Sequence, residues 1–173
     1  MSLVVFLRAV NVGGRKVGVA ALARDLGMVN LGAAGTFVAP GLDDAADLER
    51  QVREALPFDT PVMVRRGAEV LDLLWSNPFG PGDPPEGARR FVSVMGRAPA
   101  TVPPLPLERS RGDDPWEVRI VRVSGPYAFS LWCRRGPRIL YPNEVVEKVL
   151  SVPATTRGWD TLLKIRDVLM IRA

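Results

Sequence analysis

Between Leu3 and Arg66 the apolar residues change their spacing from strand-like to helical and back, and the order of those changes limits the fold more than any other feature of the chain. Leu3-Val4-Val5-Phe6-Leu7-Arg8 is a short apolar run of the kind a buried strand presents, and the glycine-bearing loop Asn11-Val12-Gly13-Gly14 follows it. Val19, Leu22 and Leu26 then recur at helical spacing, with Gly27 as a stop. Val29 to Leu31 and Thr36 to Ala39 read as two short strands around the bend Gly32-Ala33-Ala34-Gly35, and Pro40-Gly41 ends them. A second helix opens at Asp43 or Asp44, carries the stripe Leu48, Val52, Ala55 and Leu56, and closes at Pro57. Pro61 to Arg66 supplies a further strand. The order β-α-β-β-α-β is that of a ferredoxin-like split βαβ unit. The expected fold class is therefore α+β, with an N-terminal ferredoxin-like unit over residues 1–66 and a second α+β region over 67–173.

In that second region Ala68 to Trp75 reads as a helix, and the proline- and glycine-rich stretch from Asn77 to Gly87 as its exit loop. Phe91 to Met95 is a strand, and Pro99 to Gly112, proline-rich and without periodicity, reads as a long exposed loop. Trp116 to Val123 and Tyr127 to Arg134 form a hairpin across Ser124-Gly125-Pro126. Helices over Pro142 to Leu150 and Gly158 to Ile171 close the chain, a threonine of Thr155-Thr156 capping the second.

Histidine is absent from all 173 residues, which excludes Ser-His-Asp and Cys-His relays, carboxylate-histidine zinc sites and histidine general bases. Any catalysis would fall to carboxylates, lysine, tyrosine or a bound metal. The lone Cys133 has no second thiol for a disulfide or a metal site, and its strand phase puts it with Phe129 and Leu131 as a buried, inert thiol. A reducing, cytoplasmic compartment is expected. No apolar run approaches the ~18 residues of a membrane span, and the apolar start at Met1 to Leu7 lacks a basic leader and a cleavage site, so neither membrane insertion nor secretion is expected. Only Lys16, Lys148 and Lys164 among 23 basic residues are not arginine, a bias that suits a GC-rich genome or selection against thermolabile side chains.

Two segments, Phe6-Leu7-Arg8-Ala9-Val10-Asn11-Val12-Gly13-Gly14 near the start and Ala154-Thr155-Thr156-Arg157-Gly158-Trp159-Asp160-Thr161-Leu162-Leu163-Lys164 near the end, together carry a family resemblance. The chain resembles the bacterial domain of unknown function family 1697 (DUF1697), whose members open with a Leu-Arg-Gly-Ile-Asn-Val-Gly-Gly-like stretch and close with Thr-Thr-Arg-Asn-Trp-Asn-Thr. Arg89-Arg90-Phe91-Val92-Ser93 and the length are similar too. Two positions depart from the pattern: Ala34-Gly35-Thr36 stands in place of Ser-Gly-Asn, and Gly158 in place of asparagine. The resemblance implies a fold and candidate positions, and no activity.

Asn11, Gly13, Gly14, Arg15 and Lys16 lie between a strand and a helix, where glycines allow close backbone approach and a helix N-terminus attracts anions. The loop matches neither the Walker A nor the dinucleotide spacing, and a tight turn is the competing reading. Thr156 and Arg157 are the candidates at the other end, with Arg157 suited to hold a phosphate or carboxylate, or else to clamp a carboxylate or backbone carbonyls. The two motifs are expected to meet in space. Between Arg89 and Arg138 ten arginines face four acids, and Arg119, Trp132 and Arg134 are expected to form a wet stacking surface of the kind that binds single-stranded nucleic acid, against the alternative of a merely solvated face. Asp43, Asp44 and Asp47 are explained by helix capping, so neither a metal nor a cofactor is expected. The function most in keeping with these residues is binding of an anionic ligand, a small phosphorylated or carboxylated molecule or nucleic acid. The alternatives are an enzyme acting on an anionic metabolite and a protein-interaction module without a ligand.

Overall fold

The computed structural model describes residues 1–8, 16–113 and 115–172, and the chain divides into two compact units, residues 1–76 with 160–173 and residues 77–159. Helices and antiparallel sheets are mixed throughout, which makes the fold α+β.

The first unit is built around β1 (Ser2–Leu7), whose residues from Leu3 to Leu7 are all buried. A strand covered on both faces must be apolar at consecutive positions, which is why its sequence does not alternate. α1 (Val19–Asp25), β2 (Val29–Asn30), β3 (Thr36–Pro40), α2 (Ala45–Ala55), β4 (Val62–Arg66) and α3 (Gly67–Trp75) follow. The strands lie in the order β2-β3-β1-β4 with every neighbouring pair antiparallel, and Val5 sits opposite both Phe37 and Val64. Leu3, Val5 and Leu7 share one core with Leu22 and Ala23 of α1 and with Leu48 and Val52 of α2. Leu56 joins that core, whereas Ala55 of the expected stripe is exposed. Asp44 caps α2, its Oδ1 accepting the Asp47 N–H at 3.0 Å, and Asp47 in turn accepts from Arg50 and Gln51. The aspartates thus serve the helix.

The second unit holds a sheet in the order β6-β7-β8-β5-β9, from β5 (Arg89–Met95), β6 (Leu107–Arg109), β7 (Val118–Ser124), β8 (Tyr127–Trp132) and β9 (Ala154–Gly158). The β7–β8 hairpin turns through Gly125-Pro126, where Gly125 has φ +53°. That conformation suits glycine. α4 (Pro142–Leu150) packs Val145, Val146 and Leu150 against Met95, Val118, Ile120, Ala128 and Ala154 on one face of this sheet.

Two expectations are corrected here. Leu107-Glu108-Arg109 in the expected loop pairs with β7 as an edge strand, and its polar, proline-flanked sequence gave no alternation to read. Thr155 and Thr156 do not cap the last helix: they lie within β9, which runs directly into α5 (Trp159–Ile171).

Gly67 opens α3 at a point where a methyl group has no room. An added Cβ would lie 2.8 Å from Leu169 Cδ2 and 3.1 Å from the Ser2 carbonyl oxygen. Alanine would gain ~0.5–1 kcal/mol from helix propensity, but overpacking costs ~1–3 kcal/mol, and a backbone carbonyl yields little. Gly67→Ala is therefore expected to destabilise the protein by about 1 to 2 kcal/mol in denaturant melts. A variant as stable as the wild type would show that Leu169 and β1 relax freely.

Candidate functional site

β9 pairs with β5 so that Thr156 faces Ser93 and Arg157 faces Val92. Because side chains alternate along a strand, Thr156 and Arg157 point to opposite faces. On one face Thr156 Oγ1 donates to Asn143 Oδ1 at 2.8 Å, which leaves Ser93 Oγ as the donor in the 2.7 Å contact between the two hydroxyls. Asn143 Nδ2 then donates to Glu147 Oε1 at 2.7 Å. The result is a directed chain of hydrogen bonds from the buried centre of the sheet into α4.

On the opposite face Arg157 is buried, 7% exposed, and its Nη1 donates to Thr155 Oγ1 at 2.7 Å and to the Thr156 carbonyl at 3.0 Å. Burial lowers its pKa to about 10, so the guanidinium remains a cation at neutral pH. These bonds to its own strand are those of a clamp on backbone and hydroxyl groups. Asn11, Gly13, Gly14 and Arg15 lie outside the described residues, as does the expected meeting of their loop with Arg157; Lys16 is exposed.

The basic hairpin is arranged differently from its one-surface expectation. Arg119 sits opposite Leu131 in the β7–β8 register, while Trp132 sits opposite Val118, so Arg119 and Trp132 occupy different faces. Arg119 bridges to Glu108 at 2.8 Å and lies 4.1 Å from the centre of the Trp116 ring. Trp116 packs there with Leu131 and the buried thiol of Cys133.

Trp132 instead gathers an aromatic group. Its ring meets Phe91 edge-on at 5.7 Å between centroids and stacks on Tyr141 at 6.4 Å with planes 10° apart. The indole Nε1 donates to the Leu140 carbonyl at 2.8 Å, which holds the segment leading to Tyr141 against the ring. Tyr141 is 52% exposed. Arg89 is directly across from Trp132 in the β5–β8 register, and Arg134 and Arg138 belong to the connection from β8 to α4. All three arginines are exposed, and their side chains form no hydrogen bond or ion pair among the described residues. Arg135 anchors the same connection, its Nε donating to the Trp116 carbonyl at 2.7 Å. Arg89, Phe91 and Tyr141 escaped the sequence reading because only the strand register brings the first two to Trp132, although an arginine opening a strand and a tyrosine before a helix-starting proline were visible.

Elsewhere, a cleft of about 140 Å³ in the first unit is lined mainly by Met1, Leu3, Leu42, Asp43 and Arg66 and gathers no cluster of reactive groups. Among the described residues no group of histidine, cysteine, aspartate or glutamate side chains could hold a metal ion, and no helix is long and apolar enough to cross a membrane.

Thr156→Val keeps the shape of the side chain but breaks both of its hydrogen bonds, leaving the Ser93 hydroxyl without an acceptor in the core. Such a loss costs ~1–3 kcal/mol, and a fall of about that size is expected in the unfolding free energy. If Thr156→Val and Ser93→Ala prove additive in a double-mutant cycle, the hydrogen-bond chain carries no cooperativity.

The family described as "Protein of unknown function (DUF1697)" matches residues 1–119. No curated protein and no solved structure matches the chain. The matched span takes in the opening glycine motif, the whole four-stranded sheet and β5, and ends as β7 begins, before Trp132, Tyr141 and Arg157. Matched over well more than half of its length, the chain belongs to the DUF1697 family of proteins of unknown function.

Proposed function

We propose that this protein binds an anionic ligand bearing aromatic bases, a single-stranded nucleic acid, on the Trp132 side of its second unit. The observation that carries this reading is the offset stack of Trp132 on a half-exposed Tyr141, with Arg89 across the sheet from the indole. A base has a π-face that stacks on tyrosine at ~1–3 kcal/mol, and its phosphates suit exposed guanidinium groups. Arg134, exposed two residues after Trp132, is kept in this proposal as a phosphate partner; Arg119 serves the other face through Glu108 and Trp116. The order and direction of the strands in the first unit support a ferredoxin-like assignment for it, and the single buried cysteine supports a reducing, cytoplasmic setting.

Tyr141→Ala is expected to weaken binding of a fluorescein-labelled oligothymidylate about 5- to 150-fold, the range that corresponds to losing one base stack. Because the side chain is half exposed, the melting temperature should change little. Fluorescence anisotropy at low salt measures the affinity. Equal affinities for wild type and variant would remove Tyr141 as the platform and, with it, this reading.

A further inference from the structure

The basic stretch looks at first like a long electropositive track, yet most of its arginines are already bonded within the protein. Arg90 donates to the Gly82 carbonyl and lies 5.5 Å from the Phe79 ring centre. Arg97 donates to the Ser151 carbonyl, Arg109 to the Glu108 carbonyl and Arg135 to the Trp116 carbonyl. Arg111 pairs with Glu144 and Arg119 with Glu108. Only Arg89, Arg122, Arg134 and Arg138 are left exposed and unengaged among the described residues of this stretch.

Their placement divides them. Arg122 is opposite Phe129, three residues along β8 from Trp132, so it is ~10 Å up the strand toward the hairpin turn. Arg89 is beside Trp132, and Arg134 and Arg138 are in the connection that the Trp132 indole and Arg135 pin at its two ends. We infer that the aromatic site is compact: it takes a short segment of about three or four nucleotides, one base on Tyr141 and up to about three phosphates on Arg89, Arg134 and Arg138, rather than a long strand. This rests on the nucleic-acid reading above and adds the size of the ligand to it.

Salt dependence measures the number of phosphates neutralised, because each releases condensed counterions; for single strands the log–log slope is about −0.7 per phosphate. Three arginines therefore give a slope of about −2. The test is anisotropy with the full chain and labelled oligothymidylates of about 2, 4, 8 and 16 nucleotides, each over a salt series. Affinity is expected to level off near four nucleotides apart from the statistical gain of longer strands, and Arg89→Gln should make the slope shallower by about 0.7 without moving the melting temperature. Affinity that keeps tightening from 8 to 16 nucleotides, or a slope steeper than about −4, would overturn the compact site while leaving the nucleic-acid reading in place. No binding at any length in low salt would remove both, and an unchanged slope in Arg89→Gln would overturn the assignment of phosphates to this cluster.

Discussion

Strand β5 is hydrogen-bonded along both edges, to β8 on one side and β9 on the other, and the second unit depends on that double pairing. Its two registers fix three juxtapositions at once: Ser93 under Thr156, Arg89 beside Trp132, and Ala154 next to Met95 where α4 packs. A slip by one residue would turn each of these side chains to the wrong face. The hydroxyl of Ser93 is fully buried, so it makes the register specific as well as tight: only the correct alignment gives it the Thr156 oxygen.

The same register gives one face of the sheet two kinds of packing. Near Met95 and Ala154 it is closed by α4, whose valines and leucine fill an apolar layer. Toward the start of α4, Trp132 packs partly against the same apolar cluster and carries an aromatic group with Phe91 that ends in the half-exposed Tyr141. Pro142 fixes where the helix begins, one residue after Tyr141.

Much of the architecture was legible in the sequence for physical reasons. The first unit's strands and helices bury continuous or periodic apolar faces, so Leu3 to Leu7 and the Leu48, Val52, Leu56 stripe announced themselves. β9 did not, because after Ala154 its positions Thr155, Thr156 and Arg157 are satisfied by hydrogen bonds between hydroxyl, amide, carbonyl and guanidinium groups instead of by hydrocarbon. β6 did not, because an edge strand needs little apolar content. For the candidate site, Trp132 and Arg134 were visible as residue types, but pairing Arg119 with them assumed an alignment that only the hairpin register decides, and that register places Arg119 beside Leu131. Arg89 joins Trp132 across more than forty residues of chain, a separation no local pattern spans.

The connection from β8 to α4 is fastened twice, by Arg135 to the Trp116 carbonyl and by the Trp132 indole to the Leu140 carbonyl. A flexible loop carrying Arg134 and Arg138 would have to be ordered at the moment a ligand arrives, at ~0.5–1.5 kcal/mol for each immobilised side chain and more for the backbone. Here the two bonds order the backbone on folding, so in the proposed binding that part of the entropy loss would fall outside the association step. Preorganisation of this kind lets a small contact area hold a ligand that a looser surface of the same composition would release.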